Sequence, residues 1–395
     1  MLNRSLFCMC GMTFLVAMGY SIIVPILPLY VRDFGASNIQ IGAVVAGFAL
    51  TRTVFNLPAG VLTGKIGSKN SMLLGLIFVG ITSAIIGLAK NYDTVLIART
   101  VAGVGSAFYV TSSVTYMAEL TSKGGRGRSL SIYDGTSIIG ATIGPAVGGV
   151  LSYWGGRNIP FIIYAAFLTV AAILVQLVLP ATPKQDAKHT SFSYLDVKML
   201  FGDRSFLSVN TATFMYSFIL TSMEFTIIPL FAAGNIGLNV LQIGGLFTLL
   251  SLAQLAAFIP SGSLSDRHGR KPFMISSLIV LSLVLLLMPH VSGTVDFTLA
   301  MAMLGFGSGL AGPMAAWISD LSPTNKLGIA IGLYSTLNDV GVVAGPILLT
   351  AMAQTPQTIL RIPSTPFLVG ALLMAATAIL LTTAKDPVRE ENYNR

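Results

Sequence analysis

The sequence predicts an all-α polytopic membrane protein: twelve transmembrane helices in two pseudo-symmetric six-helix bundles. Three observations predict this fold. Hydrophobic residues make up 54% of the chain and charged residues 10%, with a mean hydropathy of +0.79, whereas soluble domains carry about 25% charged residues. Apolar runs of about 20 residues, enough to cross a hydrocarbon core of roughly 30 Å, recur from end to end. The chain also repeats itself internally at an offset of 201 or 202 residues.

The first run, at 5–31, is too long for the apolar core of a signal peptide and lacks a convincing cleavage site, so it reads as a span. Cys8 and Cys10 on it face apart on a helix, which excludes a disulfide framework, and with so few candidate ligands no metal site is expected. Runs at 40–63, 71–89, 94–119, 129–152 and 159–180 complete an N-terminal bundle over 1–180. The polar segment 181–204, with Lys184, Asp186, Lys188 and His189, reads as a cytoplasmic linker. Runs at 205–232, 240–264, 272–291, 295–320, 327–351 and 364–384 form a C-terminal bundle over 205–384, leaving 385–395 as a tail. Gly and Pro within several runs are compatible with membrane helices, where neighbours or water satisfy the freed backbone groups. Membrane β-strands would instead alternate over ~10 residues, and no stretch does so.

The net charge of +8 is distributed as in a membrane protein rather than a nucleic-acid binder. Seventeen basic residues fall at the two termini and in alternate loops, among them Lys65, Lys69, Arg267, Arg270 and Lys271. Only four (Arg32, Lys90, Arg157 and Arg361) fall in the other loops. The positive-inside rule then puts both termini in the cytoplasm of a plasma or inner membrane. The lipid bilayer is the expected surround, nucleic acid is not an expected partner, and a monomer is expected.

The repeat is visible at particular residues. Pro28-Leu29-Tyr30 aligns with Pro229-Leu230-Phe231, and Gln40-Ile41-Gly42 with Gln242-Ile243-Gly244. Gly103-Val104-Gly105-Ser106 aligns with Gly305-Phe306-Gly307-Ser308, and Gly140 with Gly144-Pro145 aligns with Gly341 and Gly345-Pro346. Two such halves suit alternating access about a midplane site.

Gly262 to Lys271 reads GSLSDRHGRK, and its first-half counterpart, Gly60 to Lys69, reads GVLTGKIGSK. The second copy resembles the signature loop of the major facilitator superfamily, Gly-x-x-x-Asp-Arg-x-Gly-Arg-Lys. The first copy keeps Gly60, Gly67 and Lys69 but has Gly64 and Lys65 at the Asp and Arg places. Glycines permit the tight turn. The resemblance implies a latch at the cytoplasmic face in which Asp266 meets a helix start and Arg270 meets Asp320. Gly269, Arg267 and Lys271 belong to the same loop, and Lys69 with Glu119 would be the first-half pair. In the fifth run, GATIGPAVGG (Gly140, Gly144, Pro145, Gly148, Gly149) resembles the motif of proton-coupled drug antiporters of that superfamily. The same small-residue spacing also serves close helix packing. Arg99 followed by Gly103 and Gly105 resembles the family's span-four motif, whose buried Arg is tied to proton coupling. The nearer resemblance is to twelve-span drug/proton antiporters and vesicular amine transporters.

Ionisable residues within membrane runs are costly and point to function. Arg52 and Asp339 both lie about 11–12 residues from the cytoplasmic ends of their runs, roughly 17 Å deep. A salt bridge between the halves is the natural expectation for them, and permanent glue is the competing reading. Arg99 and Glu224 share a level about 20 residues from those ends, roughly 30 Å along the helix and in the outer half. Glu224 is the expected proton carrier, Asp339 the second candidate, and Arg99 a tuning charge. Asp134, a turn and a half into its run, reads as an end anchor. None of Arg52, Arg99, Glu224 and Asp339 is duplicated; their counterparts are Gln254, Met301, Ile23 and Ile138.

Tyr20, Phe108, Tyr109, Tyr216, Phe225, Trp317, Tyr334 and Asn338 lie at depths where a substrate cavity could be lined, although such aromatics more often pack. No acidic residue stands between Arg4 and Val31, where many amine-exporting relatives carry one, which favours neutral, zwitterionic or lipophilic substrates. No phosphate-binding Gly-x-x-x-x-Gly-Lys-Ser/Thr loop is present, so ATP is not the expected energy source. No catalytic cluster appears and no cofactor is expected. The expectation is proton-coupled export of a small organic compound by alternating access. Symport or facilitated uptake is the nearest rival, and a non-transporting receptor or lipid-binding scaffold the rival of another class.

Overall fold

Twelve helical segments long and apolar enough to cross a membrane are found among the described residues of the computed structural model. It describes residues 2–120, 126–181, 199–323, 326–353 and 362–388, so most of the expected linker and the end of the tail lie outside the described residues. The chain divides into two compact units, Met1–His189 with Asn239–Thr248, and Thr190–Leu238 with Leu249–Arg395.

In the first unit, α1 (Leu2–Ile23) and α2 (Leu27–Arg32) share the first apolar run. The run expected as one span therefore breaks at Val24-Pro25-Ile26, because proline has no N–H to continue the helical ladder. Then follow α3 (Asn38–Ile66), α4 (Ser68–Gly87), α5 (Tyr92–Leu120), α6 (Arg126–Gly155) and α7 (Ile159–Val178). A capping box starts α3: Gln40 N donates to Ser37 Oγ at 3.3 Å, and Ser37 N donates to Gln40 Oε1 at 2.8 Å. Gly67 ends it at φ +86°, a conformation that side chains disfavour.

The principal packing is α1 on α6 and α7, and α5 between α3 and α4. Small residues set these seams. A Cβ at Gly140 would lie 2.6 Å from Phe14 O, and one at Gly144 would lie 2.6 Å from Met18 O. Pro145 leaves the Ala141 carbonyl without its helical donor, and Ser21 Oγ donates to it at 2.5 Å. Residues 240–248 group with this unit: Ala146 N donates to Thr248 Oγ1 at 2.9 Å, and a Cβ at Gly149 would lie 3.2 Å from Gly244 Cα.

The second half repeats the plan with local breaks. Its elements are α8 (Arg204–Ser222), a π turn at Met223–Ile227, α9 (Ile228–Gly234), α10 (Val240–His268), α11 (Lys271–Leu287), α12 (Thr294–Leu310), α13 (Met314–Asp320), α14 (Leu327–Met352) and α15 (Thr365–Thr382). The run expected at 205–232 is thus interrupted by a π turn just before Pro229, and the run at 295–320 by a turn at Ala311-Gly312-Pro313. Asn239 and Gln242 form a capping box at two 3.0 Å bonds, and Gly269 stands at φ +92°. Both features recur 202 residues after their first-half counterparts Ser37 and Gly67. Within the second unit α8 packs on α14 and α15, and α11 on α12 and α15. Gly341 abuts Phe214 O as Gly140 abuts Phe14 O, a Cβ there falling at 2.6 Å in both cases.

Candidate functional site

Arg99 on α5 is the most enclosed charge among the described residues of the first unit, 3% exposed. Its guanidinium carbon lies 4.2 Å from the centre of the Phe48 ring and 5.5 Å from that of Tyr20. The two rings are 6.0 Å apart and tilted by 32°. Phe48 reaches this position because α3 and α5 touch backbone to side chain. Thr51 Oγ1 donates to Thr100 O at 2.5 Å, and a Cβ at Gly103 would lie 3.0 Å from Arg52 N. Tyr164 of α7 supplies a third ring within Coulomb range of Arg99, admitted by Gly19, where a Cβ would fall 2.9 Å from Tyr164 Cε2.

No hydrogen bond or ion pair reaches Arg99 from the described residues, and its Nε is wholly enclosed. A buried guanidinium without an acceptor costs several kcal/mol, and cation–π contacts offset only about 2 kcal/mol of that. The site is therefore charged and incompletely compensated. Arg52, one helical turn after Phe48, is half-buried with its guanidinium carbon 6.0 Å from the same ring. Tyr109 is buried near Thr13 and Tyr133. Phe108 faces the α3–α5 seam, packed with Ala59, Ala107, Leu62 and Val104.

In the second unit Glu224 occupies the π turn between α8 and α9. It is half-buried and makes no hydrogen bond or ion pair with the described residues. Tyr216 lies within Coulomb range of Glu224 and Tyr334, and its hydroxyl donates to Ser308 O at 3.0 Å. Asn338 Oδ1 accepts from Ser217 Oγ, and Asn338, Asp339 and Phe225 are half-buried. Trp317, expected at a cavity wall, is instead fully buried, and its indole donates to Lys385 O at 3.1 Å. Asp134 is exposed on α6.

The signature loops build matching anchors. Arg270 pairs with Asp320 (Nε to Oδ2, 3.0 Å) and with Asp266 (NH1 to Oδ1, 2.5 Å). Asp266 was expected to meet a helix start, but it stands one turn before Arg270 and that cation claims it. Asp386 holds the start of α11 instead, accepting from Lys271 N at 3.0 Å. Lys271 Nζ caps the end of α15, donating to Ala384 O at 2.8 Å and to Thr382 O. In the first half Lys69 Nζ does the same for α7, reaching Leu179 O at 2.7 Å and Gln176 O at 3.0 Å. Glu119 accepts from Ser68 Oγ at 2.6 Å, Ser68 standing where Arg270 stands in the second loop. Gly60 and Gly262 lie inside α3 and α10, and Lys65 and Arg267 in their last turns.

Phe48, Tyr164, the π turn and Asp386 were not singled out in the sequence. Phe48 and Arg52 at i and i+4 share a helix face, a signal for that aromatic; the others depend on tertiary contacts.

The Major Facilitator Superfamily model matches residues 9–244 and 212–395. The chain belongs to that superfamily. It is a multi-pass membrane transporter and not an enzyme. Multidrug resistance protein 2 of Bacillus subtilis is 24% identical over 342 residues, covering 85% of each chain. Quinolone resistance protein NorA of Staphylococcus aureus is 23% identical over 360 residues, covering 89% of this chain and 90% of that protein. Among solved structures, a bacterial homolog of the human lysosomal transporter Spinster, inward-facing and unoccupied, matches with a TM-score of 0.75 at 14% identity. That likeness covers 99% of this chain and 97% of the other. The human organic anion transporter MFSD10 matches with a TM-score of 0.67 at 16% identity, covering 96% and 99%. At these identities the structural matches speak to the fold.

Proposed function

We propose that this transporter exports small lipophilic or drug-like organic compounds in exchange for protons, by alternating access between its two halves. Glu224 carries the reading: a carboxyl within a membrane-spanning segment, set in a π turn, with no hydrogen bond or ion pair from the described residues. π turns often mark functional sites, and a partnerless carboxyl can take up a proton and release it when its surroundings change. Asp339 is the second candidate for the proton, and Arg99 and Arg52 are the candidate coupling charges of the first unit. Tyr20 and Tyr109 in the first unit, and Tyr216, Phe225, Tyr334 and Asn338 in the second, are the residues proposed to meet substrate. Phe108 and Trp317 serve packing. The two bacterial relatives are named for drug resistance, which supports export as the direction of transport. Both termini face the cytoplasm of the plasma or inner membrane, and the chain acts as a monomer.

Each half brings a loop-end anchor of its own, so the two bundles rock as preformed bodies. The test is reconstitution into liposomes holding a pH-sensitive dye, with a proton gradient imposed in either direction. Antiport requires that substrate move against the proton gradient and that its addition evoke proton movement. Proton and substrate moving together would establish symport, and substrate flux without proton movement a facilitator. Binding without any flux would indicate a receptor or scaffold.

A further inference from the structure

We infer that Arg99 recognises an anionic group on the substrate, and that the transported class is organic carboxylates with an apolar or aromatic body. This deepens the export reading and rests on its claim that small organic compounds are carried. The observation behind it is the charge balance around one buried side chain in the first unit. Arg99 is 3% exposed, its Nε has no partner, and no acceptor among the described residues reaches its other nitrogens. An arginine keeps its charge at any physiological pH and offers five N–H donors in a fixed plane. The side chains identified beside it are neutral rings, Phe48, Tyr20 and Tyr164, and the other charge at the Phe48 ring is a second cation, Arg52.

The arrangement of those rings narrows the ligand. Phe48 lies 4.2 Å from the guanidinium carbon and Tyr20 lies 5.5 Å from it, in positions that suit stacked cation–π contact. Donors of a stacked guanidinium point outward in its own plane. A carboxylate is planar and accepts two parallel N–H bonds in that plane, which a Lys would not offer. The rings also give an apolar or aromatic body surface to lie against. An uncharged substrate could offer a neutral acceptor but would leave the positive charge uncompensated. A cationic one would add repulsion to a charge that is already uncompensated.

The experiment uses the full chain in nanodiscs of phosphatidylcholine, which carry no anionic lipid, and a panel of aromatic carboxylic acids each paired with its methyl ester. Calorimetry should show the acid of at least one pair binding about tenfold or more tighter than its ester, the scale of a lost charged hydrogen bond. Arg99→Gln should erase that difference, and Arg99→Lys should restore only part of it. Equal binding of acid and ester across the panel, or no binding of any acid, overturns the inference. So does an acid preference that survives in Arg99→Gln. The wild-type comparison decides by itself if a variant fails to fold. Esters that evoke proton movement as well as the acids do would sink the carboxylate assignment and leave antiport standing. Selective acid binding without proton movement would do the reverse.

Discussion

Asp386 and Lys271 show how much of the second unit rests on single side chains at the signature loop. Asp386 is 6% exposed, accepts from Lys271 N, and stands beside Gly269, where any Cβ would collide with its carboxylate. Asp386→Ala removes a helix-start acceptor and should lower stability by about 0.5–2 kcal/mol, read as a fall in thermal midpoint in detergent. An exposed pair behaves differently. Burial lifts the Asp33 carboxyl above its ordinary value, while Arg157, its salt-bridge partner, pulls it back down. The folded state then binds a proton more readily than the unfolded chain, so this group's contribution is present at low pH and lost as pH rises above 3.8. Asp33→Asn should therefore flatten the decline in stability just above that pH. At neutral pH it should change stability by less than about 1 kcal/mol. Thermal scans across pH check both. Of the site itself, Glu224 and Arg99 are legible in sequence because a charge inside an apolar run stands out. Phe48 and Tyr164 are not, because an aromatic among apolar residues looks the same whether it packs or walls a site.

At the scale of elements, the duplicated spacing of glycine and proline was legible, and the seams explain it. Gly140 and Gly341 each let a carbonyl of the partner helix approach where a Cβ would lie 2.6 Å away. Gly140→Val should therefore cost about 3 kcal/mol or more and reduce both folded yield and transport. Gly135, on the same helix α6, has nothing within 4 Å of a built Cβ. Gly135→Ala should stabilise the protein by about 0.5–1 kcal/mol by raising helix propensity. A pair of thermal midpoints moving in opposite directions is the expected result; equal losses would contradict the assignment of Gly140, and not Gly135, to a packed seam. Breaks inside helices were less legible. The sequence contains Pro25, Pro229 and Pro313, but whether proline yields a break, a π turn or a kink depends on the neighbouring helix. Pro58, Pro145, Pro260 and Pro346 all sit inside continuous helices.

For the whole molecule, one plan is written twice and then made unequal. The capping boxes, the positive-φ glycines and the lysine caps of Lys69 and Lys271 recur at near-constant offset. Arg99, Arg52, Glu224 and Asp339 do not recur, and each lies inside a membrane-spanning segment. A scaffold needs the shared features in both halves, whereas a coupling device needs one proton site and one route. This asymmetry is the reason for assigning the duplicated residues to the fold and the unduplicated ones to transport. The central claim is that Glu224 carries the coupled proton. Its most direct test compares wild type and Glu224→Gln in liposomes for two processes: proton-driven substrate accumulation, and substrate exchange at equal pH on both sides. Loss of accumulation with exchange retained is the predicted result, since the permanently neutral side chain still lets the halves rock but moves no proton. Proton-driven accumulation that persists in Glu224→Gln would contradict it.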